Sequence, residues 1–135
     1  MDVTFFARVR SDFPEIKFVS GRRFSFRAPR TVLYAKDESG AEMLLLHEIG
    51  HAILGHSDFK TEVERLKMER AAWEEARKLA KRYGVLFDEE FVEERLDTYR
   101  DWLHKKSSCP ECGLTRFQTV DGAFHCPQCD SFRGR

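Results

Sequence analysis

At 135 residues the chain has room for one modest domain and a small appendage, which excludes a pair of large enzyme domains. With 41% hydrophobic and 13% aromatic residues, 12 of them Phe, the composition is that of a folded protein and not of a disordered one. Lys+Arg and Asp+Glu both number 23, so the net charge is zero and no whole-molecule attraction to nucleic acid is expected.

The charge is unevenly spread. Residues 1–35 hold seven basic and three acidic side chains, whereas residues 58–101 hold ten basic and thirteen acidic ones. A basic amino-terminal face that meets nucleic acid stays open beside the plainer reading of a solvated surface. No apolar run approaches the roughly 20 residues that span a bilayer, and the start MDVTFFARVR lacks the layout of a signal peptide. The expectation is a cytoplasmic protein with no membrane contact.

In chain order, residues 15–37, "EIKFVSGRRFSFRAPRTVLYAKD", predict two or three short antiparallel strands. Phe24 and Phe26 alternate, Gly21 and Pro29 punctuate, and Thr31, Val32, Leu33, Tyr34 and Ala35 make the best strand. Ser39 then stands at an N-cap with Glu42 three residues on, opening a helix over about 40–55. A second helix is predicted over 61–83, with Glu64 three residues after Thr61 and Gly84 just past its end. A third, over 88–104, begins at Asp88 with Glu89 and Glu90 in its first turn and carries Phe91, Val92, Leu96, Tyr99 and Leu103 at helical spacing. After "HKKSS" the composition turns to Cys, Pro and Gly, which sets a boundary between residues 1–105 and 106–135.

The first helix contains "LLLHEIGHAILGH", two histidines and a glutamate inside an apolar run. Residues four apart share a helix face, so His47 and His51 can each turn one imidazole nitrogen toward one ion, and Glu48 can reach a water held there. This is H-E-x-x-H, with zinc as Lewis acid and glutamate as general base. Burying two imidazoles and a carboxylate without partners would cost several kcal/mol, a cost that a bound cation offsets. Gly50, worse than Ala inside a helix by about 1 kcal/mol, marks a place where something packs closely.

Catalytic zinc usually takes three protein ligands. His56 is nearest, but its spacing does not fit the long metzincin pattern, and it reads better as a cap or as a partner behind a ligand. On the second helix, at 100° per residue, Leu66, Trp73, Ala76, Ala80 and Tyr83 lie within about 60° of Glu69. A carboxylate in the middle of an apolar stripe needs a cation, so Glu69 is the expected third ligand, with Glu75 the fallback. Tyr83, Tyr99, His104 and His56 are all candidates for a donor to an oxyanion, and the sequence does not rank them.

A second constellation follows. "CPEC" and "CPQC" are C-x-x-C pairs separated by thirteen residues, and the segment between them reads as a hairpin turning at Asp121-Gly122. Cys109, Cys112, Cys126 and Cys129 can close round one structural zinc as in a zinc ribbon. A segment this short has too little core to fold alone, so metal binding is expected to fold it. Lys105, Lys106, Arg116, Arg133 and Arg135 with Phe117, Phe124 and Phe132 offer charge and stacking to single-stranded nucleic acid, or a solubilising coat on a miniature core.

"HEIGHAILGH", followed by "ERAAWEEA", resembles the ImmA/IrrE family of zinc metallopeptidases, whose active-site helix H-E-x-x-H-x-x-x-G-H precedes a glutamate helix E-x-x-A-N-x-F-A. The resemblance covers roughly residues 30–83. It puts Glu69 at the glutamate ligand and Ala72 and Ala76 at the alanines, while Trp73 and Glu75 depart from the usual Asn and Phe and the frequent closing Leu-Leu-x-Pro is absent. It implies an α+β, minigluzincin-like fold: a small sheet, the active-site helix, then the glutamate helix. It also implies that an edge strand, here Thr31 to Ala35, holds a protein or peptide substrate.

The expected function is therefore limited proteolysis of a protein partner, such as a regulator, by an intracellular enzyme with two zinc ions, one catalytic and one structural. A SprT-like protease acting on DNA-bound proteins is the enzymatic alternative, although its usual third ligand is histidine. The other alternative is a metal-stabilised adaptor that binds protein or nucleic acid without cutting.

Overall fold

The computed structural model describes residues 1–129; Phe132, Arg133 and Arg135, read above as part of the ribbon surface, lie outside the described residues. The fold is α+β. It divides into two compact units, Met1–Ser57 with Met68–Asp88, and Asp58–Lys67 with the residues from Glu89 onward. Among the described residues no helix is long and apolar enough to cross a membrane.

The first unit opens with a helix that the sequence reading did not assign, α1 (Val3–Asp12). Asp2 caps it, its Oδ1 accepting from the amides of Thr4 and Phe5 at 2.7 and 3.1 Å. Phe5 and Val9, four apart, are its buried residues, and Phe13 just beyond continues that face into the core.

Three strands follow: β1 (Lys17–Ser20), β2 (Ser25–Arg27) and β3 (Thr31–Tyr34). Their order is β1-β3-β2, with β1 parallel to β3 and β2 antiparallel to it. Two expectations are corrected here. The sheet is mixed, not wholly antiparallel, because the chain crosses from β1 past β3's place to β2 and returns between them. And β3, expected as the substrate-binding edge, is the central strand: Thr31, Val32, Leu33 and Tyr34 pair on one side with residues 17–20, and Thr31 to Leu33 pair on the other with β2, so no edge is left on Thr31, Val32 or Leu33. Ala35 follows the strand and is buried. The free edges belong to β1 and β2.

The helix α2 (Ala41–Ile53) is buried from Met43 through His51, and Leu45, Leu46 and Ile49 are fully enclosed together with Val9 of α1 and Val32 of β3. Its start corrects a further expectation. Gly40, in the left-handed region at φ 74°, is the N-cap, with no side-chain cap bond. Glu42 does not close a capping box with Ser39; its Oε1 accepts from the Asp2 amide at 3.1 Å and so ties the start of α1 to the start of α2.

The 22-residue helix α3 (Glu62–Tyr83) contributes its later turns to this unit. There Ala72, Trp73, Ala76, Leu79, Ala80 and Tyr83 form the buried stripe. The Tyr83 hydroxyl donates to Asp12 Oδ2 at 2.5 Å, fastening α3 to α1; burial and then the Asp12 carboxylate push its pKa up to about 12.

The second unit takes the first turns of α3, then α4 (Glu89–Ser107) and the hairpin of β4 (Phe117–Gln118) and β5 (Phe124–His125). Thr61 Oγ1 accepts from the Glu64 amide at 3.2 Å, and Glu64 Oε2 reaches back to the Lys60 amide at 2.9 Å, a reciprocal cap. At the centre lies a buried carboxylate, Glu62. Tyr99 of α4 donates to the Glu62 Oε2 at 2.6 Å and to the Glu62 carbonyl at 3.1 Å, and the Glu62 amide donates to Gln118 Oε1 on β4. The hairpin turns at Gly122, whose φ of 90° suits glycine and whose amide donates to the Thr119 carbonyl.

Candidate metal centres

Helix α2 sets His47 and His51 on one face, one turn apart, with ring centroids 4.7 Å apart. Opposite them α3 supplies Glu69. Its Oε2 lies 2.9 Å from His47 Nε2 and its Oε1 lies 3.4 Å from His51 Nε2. Glu48 is buried beside them, Oε1 3.3 Å from His47 Nδ1, and His47, Glu48 and His51 offer ligand atoms that all lie within 4.8 Å of one another. Of the residues read as ligands, the structure thus brings His47, His51 and Glu69 together and leaves Glu75 apart, paired with Lys78 at 3.1 Å.

The close approach of the two helices depends on Gly50. A Cβ built there would stand 2.5 Å from the Ala72 carbonyl oxygen, too close for any side chain. Helix α3 can approach only because that position is bare, and Glu69 is carried one turn before Ala72 toward the two histidines.

Charge in the cluster is strongly coupled. Burial alone would lower the His47 pKa, but the Glu48 and Glu69 carboxylates hold it up at about 9. Burial would likewise raise Glu69, yet His47 and His51 draw it well below the usual carboxylate range. Despite its short distance to Glu69, His47 Nε2 is buried and makes no aligned hydrogen bond. A ring nitrogen aimed into a gap shared with a carboxylate and a second imidazole is the disposition of a metal ligand once its proton is displaced.

Three further side chains close round this cluster. Trp73, one turn after Glu69, stacks on the His47 ring with centroids 4.2 Å apart and an angle of 15° between planes. Phe26 of β2 stacks on His51 at 5.7 Å and 19°. His56, read there as a cap or background partner, places Nδ1 2.8 Å from His51 Nδ1, which leaves His51 Nε2 for the site. Burial and then the neighbouring His51 lower the His56 pKa. Trp73 had a signal, i+4 from Glu69 on the stripe. Phe26 had none, since alternation gives a strand face and not its histidine. Of the candidate oxyanion donors, Tyr83 is committed to Asp12, while Tyr99 and His104 belong to α4 in the other unit.

The second centre lies in the hairpin. Cys109, Cys112, Cys126 and Cys129 offer sulfurs within 4.8 Å of one another, none in a disulfide. Cys109 and Cys129 Sγ are 3.8 Å apart, and Cys112 and Cys126 Sγ 3.5 Å. Backbone amides of Cys112 and Glu111 lower the Cys109 thiol to about 7, favouring its thiolate, whereas contacts with Cys112 and Cys126 push the Cys129 thiol up. Arg116 donates to the Lys106 carbonyl, and its guanidinium lies 5.2 Å from the Phe124 ring. Lys106 Nζ stands over the rings of Trp102 and Phe124 at 4.7 and 5.6 Å. These cations thus cover aromatic faces within their own unit. Both groups can hold a metal ion.

Comparison of the chain with protein-family models, with curated proteins and with solved structures finds no match in any of the three.

Proposed function

We propose that this chain is a zinc-dependent metalloendopeptidase, minigluzincin-like and of the ImmA/IrrE type, that performs limited proteolysis of a protein partner and carries a second, structural zinc on its four cysteines. The observation that carries the reading is Glu69, whose two carboxylate oxygens face Nε2 of both His47 and His51 across the gap between α2 and α3.

Spacing supports zinc at both places. Tetrahedral ligands at zinc–nitrogen or zinc–oxygen distances stand about 3.3 Å from each other, and tetrahedral thiolates about 3.8 Å. The contacts of 2.9 and 3.4 Å at Glu69, and of 3.5 and 3.8 Å between sulfurs, lie close to those values. The donor sets differ as catalytic and structural sites do, two histidines and a carboxylate with a position to spare against four thiolates that close the shell.

Zinc bound at the first site supplies Lewis acidity toward a peptide carbonyl and toward the attacking water. Glu48 takes a proton from that water as its oxygen bonds to the carbonyl carbon, then passes the proton to the departing amine as the C–N bond breaks. His56 holds His51 through Nδ1, and Trp73 and Phe26 wall the imidazoles, so the ligands are set before any ion arrives.

Glutamate as third ligand speaks against the SprT-like alternative. The adaptor reading has one observation in its favour: Glu48 contacts His47 Nδ1, and a carboxylate there can serve only to hold the ring. The test is Glu48→Gln, assayed for zinc content and for cleavage of a mixed peptide library. Retained zinc with cleavage lost by several orders of magnitude supports the peptidase; a wild-type protein that holds zinc and cleaves nothing leaves the adaptor.

A further inference from the structure

The segment "GRRFSFRAPR", from Gly21 to Arg30, carries four arginines and no acid, and no acidic residue occurs anywhere from Ile16 to Lys36. Arg22, Arg23, Arg27 and Arg30 are all exposed, and none is in an ion pair within the described residues. Elsewhere in this unit Arg77 is paired with Glu74 and Arg82 with Asp12, and Arg8 and Arg10 stand singly over the rings of Tyr83 and Phe6. An uncompensated cluster on a chain of zero net charge is a local field that awaits anions.

That cluster frames β2, and β2 is an edge: it pairs with β3 on one side, while its other side has no backbone partner among the described residues. The same short strand passes the candidate site, because Phe26 at its centre lies on the His51 ring. An unpaired edge, a metal centre and four free cations therefore meet within one short stretch of chain.

We propose that the free edge of β2 docks an extended, acidic segment of a protein substrate, with Arg22, Arg23, Arg27 and Arg30 pairing to its carboxylates; this rests on the peptidase reading above. A strand laid along the edge takes up the free amides and carbonyls of β2, and its side chains alternate so that those two residues apart share a face, about 7 Å from each other. Arginine reaches such carboxylates bidentately. Nucleic acid would satisfy the cations but not the row of backbone donors and acceptors, which is why a peptide is the occupant argued for.

The experiment uses the full chain as Glu48→Gln, so that bound peptides stay whole, with metal content measured on the same sample. Fluorescent peptides of about ten residues are compared by anisotropy: one alternating Glu with Thr and Val, its Gln counterpart, its Lys counterpart, and the Glu peptide N-methylated at alternate residues. A single-stranded oligonucleotide of similar length is the fifth probe. The Glu peptide is expected to bind at least about tenfold more tightly than the Gln peptide, to lose most of its affinity on N-methylation, and to exceed the oligonucleotide. Arg23→Glu with Arg27→Glu, both exposed, should turn the preference toward the Lys peptide while the circular dichroism spectrum is unchanged.

Equal binding of Glu and Gln peptides overturns the proposal, as does a preference that survives the double reversal. Oligonucleotide binding as strong as peptide binding, indifferent to N-methylation, overturns it in favour of a general polyanion face. Metal at the histidines without acidic preference sinks the docking strand and leaves the peptidase; acidic preference without that metal sinks the peptidase and leaves the strand.

Discussion

Gly50 of α2 and Ala72 of α3 touch backbone to backbone, at a distance that would put a Cβ on residue 50 within 2.5 Å of the Ala72 carbonyl oxygen. Gly50→Ala would gain about 1 kcal/mol of helix propensity but force the helices apart, and overpacking of this kind costs roughly 1–3 kcal/mol. Denaturant unfolding should therefore show Gly50→Ala to be less stable, with weaker zinc binding because Glu69 moves with α3. A variant more stable than the parent would show that the close approach does not exist in solution.

Zinc should number two per chain by elemental analysis. Cys112→Ser with Cys126→Ser should reduce it to one, and so should His47→Ala. Glu69→Gln should weaken the remaining histidine site by more than the roughly 10–100-fold that loss of a partner behind a ligand costs, whereas Glu75→Gln should leave it alone. One zinc per chain that is indifferent to His47 and Glu69 would remove the basis for the peptidase.

The two Nδ1 atoms of His51 and His56 lie 2.8 Å apart, so one must carry the proton and the other accept it. With metal on His51 Nε2, the proton sits on His51 Nδ1 and His56 accepts. His56→Ala should cost about 10–100-fold in zinc affinity, and His56→Gln, which retains an acceptor, should restore part of it. Nitrogen-15 spectra of the His51 ring read the tautomer directly; an unchanged tautomer and affinity in His56→Ala would leave His56 with packing alone.

Metal-free protein should respond to pH through the same cluster. The raised His47 pKa means that its contribution is fully present below its ordinary 6.5 and is lost as pH rises through about 9. The depressed Glu69 pKa means that its contribution is present above its ordinary 4.5 and is lost as pH falls through the depressed value. Metal-free stability should thus decline between about pH 6.5 and 9. Zinc, which displaces the His47 proton, should abolish that decline, with proton release visible by calorimetry in buffers of different ionisation enthalpy.

Stacking can be tested separately. Trp73→Leu keeps an apolar residue on the α3 stripe but removes the ring that lies on His47, forfeiting about 0.5–1.5 kcal/mol beyond the change in buried area. Unfolding of the metal-free protein should register that loss. No change in either stability or zinc affinity would mean that the stack contributes nothing.

Much of this arrangement was legible in the sequence. The extents of α2 and α3 follow from their apolar periods, and the direction of Glu69 from 100° steps along α3, because both are local properties of one helix. The four cysteines are legible for a similar reason, since each C-x-x-C presets its own half of a site. Strand order was not legible: four residues of β1, three of β2 and four of β3 carry no record of which lies between the others, and β3 turned out central. Ser39 and Glu42 have the letters of a capping box, but Glu42 is taken by the Asp2 amide, a tertiary competitor invisible in a local pattern. The helix α1 was readable and overlooked: Asp2 before a segment with Phe5, Val9 and Phe13 four apart is a capped amphipathic turn.

Glu62 has a practical consequence for anyone dissecting the molecule. Its amide donates to Gln118 of the cysteine hairpin and its Oε1 lies 3.9 Å from Lys106 Nζ, so stopping the chain at residue 105 would leave that amide without its acceptor and the buried acid without that cation, and open the first turn of the helix that bears Glu69. The two units are interleaved along the polypeptide, one being made of stretches that flank the other's last segment. Scissors at a single peptide bond cannot separate them; thiol-specific reagents or cysteine replacement, which empty the hairpin without shortening the chain, can.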